Sequence, residues 1–185
     1  MTGLYVLVKA ICFPGTFLKA FWEHLSCRTL GVPIYAADTY ISGNILSGHI
    51  SMIPAETPGK SFFVCFLPSL VNFLIGFPAF AAGVLTLGYL GVDVIDPVSG
   101  KFCPMFIVYV LLYLFGSSCL CNLFPYTQDA LHMWRMHFGK TGQAGMVRKV
   151  FAFLPICILT GGAYLERFCV TFLASVALLV VWIVT

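Results

Sequence analysis

The sequence predicts an all-α polytopic membrane protein, with about four membrane-embedded helices and a small β-hairpin inserted after its first long helix. Three observations carry that expectation. Of 185 residues, 60% are hydrophobic and only 9% are charged, and the mean hydropathy of +0.97 lies far outside the composition of a soluble domain. Apolar stretches cover 61–91, 103–121 and 168–184, with a weaker one over 148–163, and a hydrocarbon core about 30 Å thick needs roughly 20 helical residues. Segment 33–60 (PIYAADTYISGNILSGHISMIPAETPGK) reads instead as short strands and turns, with Gly43-Asn44 as a hairpin break. No polar linker divides the chain, so residues 1–185 form one integral membrane domain.

The amino-terminal MTGLYVLVKAICFPG has no basic stretch before its apolar run, is interrupted by Lys9, and carries no small-residue cleavage pattern. It does not read as a signal peptide. Pro14-Gly15 marks a turn, Thr16 is placed to cap a helix running to about Leu30, and Gly31 is its stop. The stretch 61–91 is too long for one perpendicular span, so Gly76 and Pro78 are expected to kink or divide it. After the span 103–121, residues Thr127 to Phe138 form an amphipathic helix. Its Leu131, Met133, Trp134, Met136 and Phe138 suit an interfacial position, and its Arg135 suits headgroups. The stretch 148–184 is either one long tilted helix, with Glu166 and Arg167 inside the bilayer, or two elements broken at Gly161-Gly162.

Charge is distributed unevenly. Segment 92–102 carries two acids and one Lys; segment 127–149 carries Arg135, Lys140, Arg148 and Lys149 against Asp129 alone. The positive-inside rule therefore puts 127–149, and with it 32–60, in the cytoplasm, and 92–102 outside. Six of the eight cysteines lie within or at the ends of apolar runs, and neither Cys27 nor Cys121 pairs with them at CxxC spacing. They read as small apolar fillers.

Ionisable residues inside the apolar chain are the candidates for chemistry. Glu23 and His24 stand side by side on the first helix, His49 follows on the hairpin, and Asp129 opens the amphipathic helix. The order Phe13-Pro14-Gly15-Thr16, Cys27, Gly31-Val32, Gly48-His49-Ile50, Pro68 and Asn72 in FLPSLVN, then Asn122, Pro125 and Asp129 in NLFPYTQDA, resembles the site-2 protease group of intramembrane zinc metalloproteases, above all its small bacterial relatives. The resemblance covers roughly residues 11 to 139 and leaves 140–185 as further membrane helices. In that group an HExxH helix supplies two zinc ligands and a general base, and a distant Asp closes the site.

Aligned from Phe13-Pro14-Gly15-Thr16, the five motif positions here hold Lys19, Ala20, Phe21, Trp22 and Glu23. A cation replaces the first ligand, a methyl group the base, and an acid the second ligand; only Asp129 matches. The inverted HxxEH motif ends correctly in Glu23-His24 but finds Ala20 where it needs a histidine. His132 and His137 are five apart, about 140° around a helix, and share no face.

The resemblance thus implies a catalytically degenerate relative that needs no cofactor and acts by binding a membrane protein or peptide in the bilayer, with no nucleic-acid partner. Lys19 and Glu23, one turn apart, are expected to form an ion pair that Asp129 joins in the metal's place. Two alternatives stand beside this reading. One is a divergent zinc peptidase whose metal is held by Glu23, His24, His49 and Asp129. The other is a small structural subunit of a membrane complex.

Overall fold

The structure is a computed structural model and describes residues 3–35, 49–89, 94, 100, 102–139 and 144–184. Within them the fold is all-α, with seven helices and no strand. These are α1 (Gly3–Ile11), α2 (Phe13–Leu30), α3 (Pro58–Val84), α4 (Pro104–Leu120), α5 (Thr127–Phe138), α6 (Met146–Arg167) and α7 (Val170–Val184).

Local chemistry explains most of the boundaries and corrects several expectations. Helix α2 starts at Phe13, with Pro14 in its first turn, where a missing N–H costs nothing. Thr16 is therefore inside the helix, and its hydroxyl donates to the Cys12 carbonyl at 2.6 Å rather than capping. Gly31 does end the helix, in the left-handed conformation at φ 62°. Helix α3 begins with Thr57, whose hydroxyl accepts the Lys60 N–H at 3.4 Å, and runs undivided past Pro68 and Pro78 into a π-helical turn, Leu85–Tyr89. The expected division at Gly76 and Pro78 does not occur. Gly76 instead lets α4 approach: a Cβ there would stand 2.5 Å from the Cβ of Cys119, and one on Gly116 would stand 2.3 Å from the Phe80 nitrogen. Close packing of this kind secures the helix around its missing hydrogen bonds.

The carboxyl-terminal stretch is two helices, broken at Phe168-Cys169 rather than at Gly161-Gly162. Cys169 takes φ 56°, an uncommon value for a residue with a side chain. Gly162 stays helical, and the ring of Phe124 lies where its Cβ would be.

Helix α3 is central, with α2, α4, α5 and α6 all packed on it. Met133 of α5 is fully buried in a cluster with Cys65 of α3 and Ile156 and Leu159 of α6. So α5 is wedged between two helices, and only part of its surface remains for an interface. Of the expected hairpin, the described residues hold one isolated antiparallel bridge between Ile34 and Met52. The Tyr35 N–H donates to the Ser51 carbonyl (3.1 Å) and the Ile53 N–H to that of Pro33 (2.9 Å). Gly43-Asn44 lies outside the described residues. Two helices are long and apolar enough to cross a bilayer, Pro58–Gly88 and Met146–Arg167; Pro104–Leu120 and Val170–Val181 are shorter apolar helices.

Candidate functional site

Helix α2 presents Lys19, Ala20 and Glu23 to the interior, all at 5% exposure or less. Lys19 does not form the expected ion pair. Its ammonium donates to the backbone carbonyl of Phe124, while the carboxylates of Glu23 and Asp129 lie in ion-pair range of His49 instead. The residues at 122–125 turn sharply between α4 and α5, which exposes a peptide carbonyl toward α2. A carbonyl so placed satisfies the cation directly, and the acids go to the nearer imidazole.

His49 is therefore the centre of the cluster. Its Nδ1 stands 3.5 Å from Glu23 Oε2 and 3.4 Å from Asp129 Oδ2. Both separations are in ion-pair range but long for hydrogen bonds, and the atom has no hydrogen-bond partner though it is buried. The ring stacks on Tyr126 with centroids 4.8 Å apart and planes inclined by 19°. The next residue, Ile50, donates its backbone N–H to Glu23 Oε2 at 3.1 Å. Two consecutive residues of the returning segment thus close over the acid of α2.

Burial would lower the basicity of His49, but the contact with Glu23 and the charges of Glu23 and Asp129 outweigh it and raise its pKa. Burial also raises the Asp129 pKa to about 6; Glu23 adds to the rise, while His49, Lys19 and His132 oppose it. Asp129, His49, Gln128, Cys65 and His132 line a cavity of about 280 Å³ beside the cluster. His132 itself faces the Ala55 carbonyl through Nε2 at 3.0 Å. His24 is about 100° further round α2 than Glu23, and the cluster's bonds run to His49 in its stead.

The donor chemistry of Glu, His and Asp suits zinc. Among the described residues no three His, Cys, Asp or Glu side chains are placed to hold a metal ion. The basic groups already beside the two acids are His49, whose basicity the two acids raise against the effect of burial, and Lys19, on which the charges of both acids act.

A second polar centre was not foreseen. Lys9 of α1 is 2% exposed and pairs with Glu166 of α6. Its ammonium also donates to the Cys121 carbonyl and to Asn122 Oδ1, both at 2.8 Å. The other oxygen of Glu166 accepts the Phe124 N–H at 3.0 Å. The Asn122 amide nitrogen donates to the carbonyls of Ser118 (2.9 Å) and Cys12 (3.3 Å), and that of Asn72 donates to the Asn122 carbonyl (2.9 Å). Asn72 and Asn122, noted in sequence only through a motif, are thus the junction of α2, α3 and α4. The signal for Lys9 and Glu166 was their isolation in apolar stretches, but nothing in sequence paired them. The peptide of Phe124 joins the two centres, since its N–H meets Glu166 and its carbonyl meets Lys19.

No protein-family model, curated protein or solved structure matches the chain.

Proposed function

We propose that this chain is a polytopic membrane protein, a degenerate relative of the site-2 protease group, that works without catalysis by binding a membrane partner. The observation that carries the reading is what stands at the motif positions. Where the group has histidine, glutamate and histidine, the chain has Lys19, Ala20 and Glu23. Glu23 and Asp129 both face His49, whose Nδ1 is 3.5 Å from the one and 3.4 Å from the other.

Peptide hydrolysis at such a site needs an activated water and a base to take its proton. Ala20 offers no base, and Glu23 accepts the Ile50 N–H while facing an imidazole. His49 and Lys19 are two basic side chains beside the two acids, and the charges of both acids act on each of them. A divalent cation held by Glu23 and Asp129 would sit close to both.

The bilayer setting is supported by where the apolar residues point. In the most apolar windows of Pro58–Gly88 and Met146–Arg167 only 22% and 28% of residues are buried. Core helices of a soluble protein would be mostly buried; these turn Phe73, Leu74 and Phe77, or Phe151, Leu154 and Ile158, outwards. In this reading 127–149 is cytoplasmic and 92–102 extracytoplasmic.

Elemental analysis tests the reading. Protein purified in detergent without chelator or metal-affinity tag is expected to carry no stoichiometric zinc and to leave a transmembrane peptide substrate uncut. About one zinc per chain, lost on Glu23→Ala or Asp129→Ala, would overturn it.

A further inference from the structure

Three cysteines far apart in sequence, which read there as small apolar fillers, meet in one place. Cys12 at the α1–α2 junction, Cys121 at the end of α4 and Cys169 at the α6–α7 break share one buried cluster with Val8. Each is 5% exposed or less. The other buried thiols are dispersed. Cys27 packs on Met52, Cys65 lies in the cluster of Met133 and Ile156, and Cys119 lies over Gly76.

Within the cluster, Cys12 and Cys121 are brought together backbone to backbone. The Cys12 carbonyl accepts the Ser118 hydroxyl at 2.8 Å and the Asn122 amide at 3.3 Å, so it lies against the end of α4 at residues on both sides of Cys121. Gly15 takes part in the same approach. Its N–H donates to Ser118 Oγ at 2.7 Å, and a Cβ on it would stand 2.2 Å from the Ser118 carbonyl oxygen. The Lys9 ammonium adds a further tie by donating to the Cys121 carbonyl at 2.8 Å. The two thiols stand close enough to act directly on one another. A disulfide needs Cα atoms roughly 4.4–6.8 Å apart with converging Cβ vectors, the arrangement that touching backbones and facing thiols provide.

The surroundings suit thiol exchange. A thiolate is the attacking species, and a neighbouring cation favours it. The Lys9 ammonium acts on the Cys12 thiol more strongly than the Glu166 carboxylate does. Ile11, Phe13 and Phe168, which adjoin Cys12 and Cys169 in the chain, are exposed and apolar. A neutral reagent is therefore admitted to the neighbourhood of the cluster more readily than a charged one.

We propose that Cys12 and Cys121 are a redox-modification site that closes to a disulfide by exchange with a neutral small-molecule disulfide. The Cys12 thiolate attacks one sulfur of that molecule, whose S–S bond breaks and releases one small thiolate. The Cys121 thiolate then attacks the Cys12 sulfur and releases the other. The two small thiolates take up the two protons that the cysteines give up. Two protein thiols and one small disulfide thus become one protein disulfide and two small thiols. The new bond ties the start of α2 to the end of α4. This inference goes beyond the partner-binding reading and does not depend on it.

The test uses the full chain, reduced and purified in detergent, with the half-exposed Cys103 and Cys157 replaced by Ser. The probe is dithiodipyridine, a neutral disulfide, and the product is read by mass spectrometry of peptides after the remaining thiols are alkylated. The peptides of Cys12 and Cys121 should be recovered joined, with no pyridyl group on either. Closing so long a loop should raise Tm by at least about 5 °C, and a reductant should reverse the shift. Cys12→Ser and Cys121→Ser should each abolish the joined peptide and the shift, whereas Cys169→Ser should retain both.

The joined peptide is sought in the chain that keeps all three thiols, so the result does not depend on how the Ser variants fold. Cys12 and Cys121 recovered as free thiols would overturn the inference, because a site that a neutral disulfide cannot reach is not a modification site. Separate pyridyl adducts on both would show thiols too far apart to join. A bond from Cys169 to either would show that the pair is wrongly assigned.

Discussion

His49 holds α2 and α5 together through two acids, and its titration should be measurable as stability. Its folded pKa is raised, so the stabilisation it gives is fully present below its unfolded value of 6.5 and is lost as pH rises through the folded value. Asp129 runs the same way. A carboxyl raised from 3.8 to about 6 favours the folded state while protonated, and that advantage fades as pH climbs from about 4 to about 6. A rise of that size contributes at most roughly 3 kcal/mol. Thermal unfolding in detergent should therefore show stability falling between pH 4 and pH 7.5. His49→Gln should flatten the upper part of the fall and Asp129→Asn the lower part. A profile that rises with pH, or one unchanged in both variants, would show that the cluster does not couple helix docking to protons. The sequence made these residues candidates but misassigned the bridge. Helix spacing puts Lys19 and Glu23 on one face, and that geometry holds, yet the Phe124 carbonyl that captures Lys19 comes from a turn whose backbone direction no side-chain pattern encodes. His49 read as a hairpin residue or one of four metal donors, because its placement depends on where 49–57 folds back over α2.

At the level of elements, the α2–α5 part of the chain was largely legible, and the reasons are local. Gly31 requires the left-handed conformation that stops α2, and the amphipathic pattern of 127–138 gives α5 at the bounds observed. The misses arise where tertiary packing overrides a local signal. Pro78 would break a solitary helix, but α3 is held along α4 by Gly76 and Gly116; Gly161-Gly162 looks like a break, yet Gly162 admits the Phe124 ring. The pairing of α1 with α6 through Lys9 and Glu166 has no sequence signature at all, since the partners are 157 residues apart. It should nevertheless dominate the stability of the amino-terminal helix. Lys9→Met leaves a buried carboxylate without its cation and is expected to cost about 3–5 kcal/mol. Adding Glu166→Gln removes that stranded charge while keeping an acceptor for the Phe124 N–H, so the double variant should recover at least half of the loss. A double-mutant cycle by thermal unfolding decides it; strictly additive losses would mean that α1 is held by its apolar contacts, such as Val8 and Cys12 with Cys121 and Cys169, and that the pair is incidental.

For the whole molecule, orientation in the proposed bilayer is the statement that composition makes most strongly and helix packing alone leaves open, because a bundle packs identically either way up. The asymmetry lies in the charges: Arg135, Lys140, Arg148 and Lys149 against Asp129 on 127–149, and two acids against one Lys on 92–102. Cationic short segments resist translocation, so the first should stay cytoplasmic and the second should cross. The continuity of Pro58–Gly88 adds a constraint, since a helix that long and apolar carries its two ends to opposite faces. Segment 49–57, with the His49 cluster, then shares a face with 127–149, as the His49–Asp129 contact requires. Single cysteines at Val94 (47% exposed) and Met146 (83% exposed) are suitable probes. Only Cys103 and Cys157 need replacement by Ser, because the other six native thiols are buried and poorly accessible to a membrane-impermeant maleimide. In intact cells the reagent should modify Val94→Cys and spare Met146→Cys until the membrane is opened. Labelling of Met146→Cys from outside would invert the orientation and place the His49 cluster on the outer side. Labelling of both from outside would mean that α3 does not cross the bilayer.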